Sequence, residues 1–316
     1  MSTIYGNPLL LGGKKPTPLS VSTNGTWSQT EGYSPVNVNV PASAVTSGTK
    51  VITAAGVYDV TEFKSVRVVL GLYASASPAE GISYTTGLPN DWNRIKEIAK
   101  AISEASNSIT DYPTTSIYVN NGNTWAYKIT LGDIINVNNY EYAVMGFNNF
   151  ALTNSNHYGG AHTTAGLTFG MVNCVENYKM NSTATNKGGW GKCLMRTSKM
   201  PTLKKGMPAT LAQVKVPYVE DGVVIYSDDY MFLPSSIEVT GRPNGAPPEG
   251  AKVMKQFAYY INGGSKIKEL SGSTVYWWCR SIDNNSNNAF IAAPPYSGMV
   301  PLNASDAYGV APCFCV

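Results

Sequence analysis

Residues 276–316 constrain this chain most. They read YWWCRSIDNNSNNAFIAAPPYSGMVPLNASDAYGVAPCFCV. Three adjacent aromatics, Tyr276, Trp277 and Trp278, open the stretch, and the apolar run from Gly309 to Val316 closes it. Between them lie Asn, Ser, Ala, Pro and Gly with almost no charge. Aromatic and β-branched ends read as strands, and the Asn/Ser/Pro/Gly middle reads as loops. Free termini usually fray, so a final apolar strand is expected to close the domain. The stretch therefore reads as core strands at both ends with a displayed surface between them.

Within it, Trp277, Trp278, Arg280, Val310 and Phe314 are expected to be framework. Neighbouring residues on a strand face opposite sides, so one Trp should enter the core and the other should pack under a loop. Arg280 should hold loop carbonyls or a carboxylate through its planar fork. The loop residues are rich in the Tyr, Ser and Asn of adaptable binding surfaces, and on composition alone a binding surface and an ordinary solvent loop are equal readings. Candidate ligand-binding residues are Ser281, Asp283, Asn284, Asn285, Asn287, Asn288, Pro294, Pro295, Tyr296, Asn303, Ser305, Asp306 and Tyr308. Of these, Asp283, Asn285, Asn287, Tyr296, Asn303, Asp306 and Tyr308 are expected to be exposed and clustered on one face.

Charged residues make up 14% of the 316 positions, well below the usual quarter, while Tyr numbers 20. That composition is not disordered; it suits a β-rich, loop-rich surface. The length suggests two domains with room for a small third. A net charge of +3 without a basic run gives no support to nucleic-acid binding. No window approaches the roughly 18 apolar residues of a membrane span, so membrane insertion is not expected.

The five cysteines, Cys174, Cys193, Cys279, Cys313 and Cys315, form no CxxC pair. Cys313 and Cys315 are two apart on a strand and share a face. Buried free thiols are the expected state, and folding in a reducing cytosol fits the lack of a secretory leader. His157 and His162 lack the partners a metal or catalytic site needs. Asp228 and Asp229 are adjacent on a strand, so they should face opposite ways. No nucleotide loop or nucleophile elbow occurs. No cofactor and no metal are expected.

Along the chain, residues 1–19 read as a disordered tail or as an attachment arm, the latter suggested by the apolar Leu9–Leu10–Leu11 patch. Residues 20–73 hold two β-repeat units: Gly25 and Trp27 recur as Gly56 and Tyr58, and Val36, Val38 and Val40 alternate as Val66, Val68 and Leu70 do. Residues 74–124 read as a linker and a helix over 91–107, capped by Asn90, with Ile95, Ile98, Ile102, Ala99 and Ala105 on one face. That helix either packs on its own domain or self-associates. From 116 onward the pattern is short strands and long loops, with short helices over 191–200 and 208–214 and strands over 217–239. The fold class is thus α+β and β-rich.

The Trp277–Trp278–x–Arg280–Ser281 stretch and the closing Gly309, Val310 and Phe314 resemble the C-type-lectin-like domains of phage and prophage proteins, several of them diversified by retroelements. Leu131–Gly132–Asp133–Ile134, Tyr140–Glu141–Tyr142, residues 168–173, Gly188–Gly189–Trp190 and Met195–Arg196 add to the likeness, which covers roughly 125–316. Residues 24–41 resemble a short β-repeat of phage structural proteins. The resemblance implies a C-type-lectin-like domain over 125–316 in a non-enzymatic tail fibre or tip protein that binds a host receptor. It also implies a homotrimer, a host surface protein or glycan as ligand, and other tail proteins as partners of the N-terminus. The protein would be made in the bacterial cytoplasm and carried on the virion. Two alternatives stay open: an enzyme on the same fold using formylglycine-generating cysteine chemistry, and a purely structural tail subunit.

Overall fold

A computed structural model describes residues 72–79, 82–106, 114–121, 124–242, 253–294 and 298–316, with strand backbone also at Thr3–Tyr5, Pro18–Val21, Trp27–Gln29, Lys50–Ile52 and Val66–Val68. The protein is β-rich α+β. Two five-stranded sheets carry the C-terminal half. The first runs, in spatial order, Ile134–Val137, Tyr140–Ala151, Thr164–Met171, Cys313–Cys315 and Met231–Phe232, with every neighbour antiparallel. The second runs Glu176–Lys179, Ala307–Val310, Trp277–Ile282, Ala289–Ala293 and Val300–Asn303. Its one parallel pairing sets Trp277 beside Gly309. A hairpin, Val214–Glu220 with Val223–Asp229, stands alongside.

The strand Thr164–Met171 is buried along nearly its whole length, the pattern of a strand covered on both faces. The helix Trp92–Glu104 covers it. Its buried residues Ile95, Ile98, Ala99 and Ile102 recur at the spacing that puts side chains on one stripe. A side chain on Gly166 would stand 1.9 Å from the Ala99 carbonyl oxygen, so the helix and strand approach that closely only because position 166 is glycine. Asp91, rather than Asn90, is the N-cap: its carboxylate accepts from the Asn93 amide at 3.0 Å. The helix stops at Glu104, short of 107. Packing on its own sheet, not self-association, accounts for its apolar face.

Phe314 sits at the centre of the core. It stacks on Phe169 at 5.1 Å and meets Tyr142 edge-on at 5.0 Å, with Trp92 at 6.1 Å. The same core takes in Ile117, Val119 and Ile129 from the four-stranded sheet Leu72–Ser75, Ser116–Asn121, Ala126–Thr130 and Thr85–Thr86. A division at 124/125 therefore falls inside the Ser116–Asn121/Ala126–Thr130 hairpin, and the helix shares one core with everything after it.

Two short elements differ from expectation. Residues 208–214 are not a helix: Ala212 bridges to Cys315, which draws the chain out along the first sheet. Ser236–Thr240 is a helix within the stretch read as strand, because Ser235 and Glu238 close a capping box. Tyr230 is exposed, while Met231, Phe232 and Leu233 are buried. In the N-terminal part, Pro18–Val21 and Trp27–Gln29 form an antiparallel hairpin, whereas Lys50–Ile52 and Val66–Val68 pair in parallel. The repeat positions 36–40 and 56–58 lie outside the described residues. Among the described residues no helix is long and apolar enough to cross a membrane.

Candidate ligand-binding surface

The strand Trp277–Ile282 is the floor. Trp277 and Trp278 are both fully buried, and their indoles leave on opposite sides. Trp277 donates to the Lys266 carbonyl at 3.0 Å and Trp278 to that of Tyr178 at 2.8 Å. Arg280, buried to 1% exposure, does both of its expected jobs. Its Nε donates to the Pro217 carbonyl and its Nη1 to that of Leu233, each at 2.8 Å. Its fork then takes both oxygens of Glu238, one at 2.6 Å. Glu238 also accepts from the Ser235 amide at 2.8 Å. One guanidinium thus joins the hairpin, the 233–240 segment and the Trp277–Ile282 strand.

The loop above is pinned from below. Asp283 is buried rather than displayed, and its carboxylate turns back to accept from the Asn285 amide at 3.3 Å. Ser281 is also buried; its hydroxyl accepts from the Ser236 amide at 2.9 Å. The anchor that sequence reasoning missed is Asn186. Its buried side-chain amide donates to the carbonyls of Asp283 (3.1 Å), Ser286 (2.6 Å) and Ala289 (3.1 Å). Its backbone amide donates to Asn287 O at 2.9 Å.

On this support Asn284, Asn285, Asn287 and Asn288 are exposed. Asn284 and Asn287 line a polar cleft of about 440 Å³ between loop 185–189, the hairpin turn Asp221–Gly222 and loop 282–287. Lys187, Asp221 and Asp283 are its charged residues; the rest are Asn, Ser, Thr, Gly and Ile282. Gly188 and Gly189 both take positive φ there. The turn after Val300–Asn303 adjoins the same loop, since the Ala304 amide donates to Asn288 O at 2.8 Å. Asn303 and Ser305 are half-buried and bonded to each other, with Asp306 exposed beside them.

The other candidates lie apart. The Ala289–Ala293/Val300–Asn303 register puts Pro294, Gly298 and Met299 at the far end of that hairpin from Ala289 and Asn303. Pro294 is buried there, and Pro295 and Tyr296 lie outside the described residues. Tyr308 is half-buried, edge-on to Trp278 at 5.2 Å and to Tyr276 at 6.0 Å, so it belongs to the support. The single exposed face expected from the sequence is therefore smaller, and it is completed by residues 185–189 and 221–222.

Asp228 is exposed and Asp229 buried, facing opposite ways. Asp229 accepts from Trp190 Nε1 (2.9 Å), Arg196 Nε (2.7 Å) and Ser227 Oγ (2.6 Å), which locks the 189–199 segment onto the hairpin. All five thiols are buried and free. Burial pushes Cys174 up to about 11 and Cys193 and Cys315 up to about 12, and raises Cys279 and Cys313 as well. His157 and His162 flank Tyr158 edge-on at 4.7 and 5.0 Å, and burial lowers His157 to about 4. Among the described residues no three His, Cys, Asp or Glu side chains come together to hold a metal ion.

The class of protein so defined is a β-rich α+β domain presenting a pinned polar loop surface. Residues 163–316 of the chain match a family model described as a domain of unknown function (DUF6273), a span that opens beside the Thr164–Met171 strand and takes in this whole surface. No curated protein and no solved structure matches the chain.

Proposed function

We propose that this chain is a phage tail fibre or tip protein that binds a host-surface protein or glycan through a C-type-lectin-like domain and performs no catalysis. The observation that carries the reading is the contrast at residues 277–288. A strand held by two buried indoles and a buried ion pair supports a loop whose exposed positions are nearly all Asn. Such a loop can change its exposed side chains while Asn186 and Asp283 keep its backbone in place. Five thiols buried with raised pKa values suit packing better than nucleophilic chemistry, which favours binding over the cysteine-enzyme alternative. Residues 1–73 serve attachment to other tail proteins, the particle carries the protein out of the bacterial cytoplasm, and the working unit is a homotrimer.

The test uses the full chain, fluorescently labelled, against a panel of bacterial strains, beside Asn284→Ala/Asn285→Ala/Asn287→Ala. The wild type should decorate some strains, and the triple variant should lose at least tenfold in binding with its melting temperature within about 2 °C, as for ordinary surface changes. Equal binding by both proteins would overturn the assignment. Light scattering should return three times the chain mass, and a monomer at all concentrations would remove the trimer.

A further inference from the structure

A second cleft lies away from the loops just described. It measures about 440 Å³ and is walled by the hairpin on one side and by the bulged end of Tyr140–Ala151 on the other. The hairpin register sets Pro217 opposite Tyr226 and Lys215 opposite Asp228. Lys215, Pro217 and Tyr226 all line the cleft, and Tyr226 is 53% exposed. Exposed Asn149 stands on the facing wall, and Lys255 is at the rim.

Each group has a matching ligand feature. The exposed Tyr226 phenol, with Pro217 buried beside it, offers an apolar plate of the size of a sugar ring's C–H face, together with a polar edge. Asn149 supplies paired donor and acceptor for vicinal hydroxyls. Lys215 and Lys255 are cationic, and the one acidic residue of the lining, Glu238, has both oxygens held by Arg280. Lys215 Nζ is 3.7 Å from Asp228 Oδ1 with both side chains about half exposed, an open pair that a second anion can compete for. We propose that this cleft binds an anionic oligosaccharide, with the ring on Tyr226 and its carboxylate or phosphate at Lys215.

The experiment is calorimetric titration of the full chain with tetragalacturonate, phosphorylated mannotetraose and neutral cellotetraose. At least one anionic sugar should bind, more weakly as salt rises, and cellotetraose should bind at least tenfold more weakly. Tyr226→Ala and Lys215→Glu should each lower affinity at least tenfold with the melting temperature unchanged. Asp228→Asn, which releases Lys215, should raise it two- to threefold. Which anionic sugar binds tells carboxylate from phosphate. Binding by neither, equal binding of the neutral sugar, or an unaffected Tyr226→Ala variant would overturn the proposal. Because Asn284, Asn285 and Asn287 lie outside this cleft, their substitution should leave these affinities unchanged.

Discussion

Substituting Glu238 and Arg280 singly and together tests what holds the polar loop surface up. Their side chains are 3% and 1% exposed, so neither charge has water to turn to if its partner goes. Glu238→Gln keeps the shape and most hydrogen bonds but leaves a buried guanidinium unpaired. The expected cost is about 3 kcal/mol, the lower end for breaking a buried pair. Arg280→Met does more damage. It strands the Glu238 carboxylate and also strips the donors from the Pro217 and Leu233 carbonyls, each worth about 1 kcal/mol or more. The expected loss is about 5–7 kcal/mol, comparable to the whole stability of many domains. In the double variant, Glu238→Leu with Arg280→Met, no charge is stranded and only the backbone groups remain unpaired, so the loss should fall to about 2–4 kcal/mol. The double variant should thus be more stable than Arg280→Met alone. Urea unfolding followed by tryptophan fluorescence measures this, because Trp190, Trp277 and Trp278 are all fully buried. If both single variants cost under about 1 kcal/mol, or the double variant is no more stable than Arg280→Met alone, then Arg280 does not organise this site.

Phe314→Ala should cost about 3–5 kcal/mol, since it empties the contacts with Phe169, Tyr142 and Trp92; a chemical-denaturation midpoint within error of wild type would contradict the central role given to it. Asn186→Ala should cost about 1–3 kcal/mol and speed amide exchange across residues 283–289, because three carbonyls lose their donor. A thiol reagent at pH 8 should label none of the cysteines in the native protein and all 5 in guanidinium, and fast native labelling at Cys313 would argue for an open site there. His157 is held neutral when folded, with its pKa lowered from 6.5 to about 4. Between those values the unfolded chain binds the extra proton, so stability is full above about pH 6.5 and falls as pH drops toward 4. His157→Gln should flatten that part of the profile of melting temperature against pH.

Much of the framework was legible because local pattern and tertiary position agree there. Isoleucines at 95, 98 and 102 announce a one-sided helix, and the paired Trp at 277–278 and the closing apolar run at 309–316 announce core strands. The adjacency of Asp228 and Asp229 fixes their opposite facing by strand geometry alone. The site was legible only in part. Asn284 to Asn288 look like loop and are loop, but Asp283 carries the same composition signal and is buried, since an Asx turn is decided by where the chain goes next. Asn186 gave no signal of its role, because its three acceptors lie about a hundred positions downstream. The helix Ser236–Thr240 was readable: Ser235 and Glu238 have capping-box spacing, outvoted by the apolar run around them. Nothing local marks 208–214 as extended; its bridge to Cys315 is a long-range event.

That long-range character extends to the strand Cys313–Cys315, which lies inside its sheet between Thr164–Met171 and Met231–Phe232. Thr168 and Cys315 meet across it although they are 147 positions apart. Closing a loop of that length costs about 4 kcal/mol of chain entropy before any contact repays it. The first sheet should therefore form late, slowly and all at once, behind a high barrier of topology. Unfolding must cross the same barrier, by extracting a strand hydrogen-bonded on both edges and stacked through Phe314. Persistence of this fold is then a matter of rate as much as of equilibrium: the polar loops are mounted on a sheet that is slow to come apart.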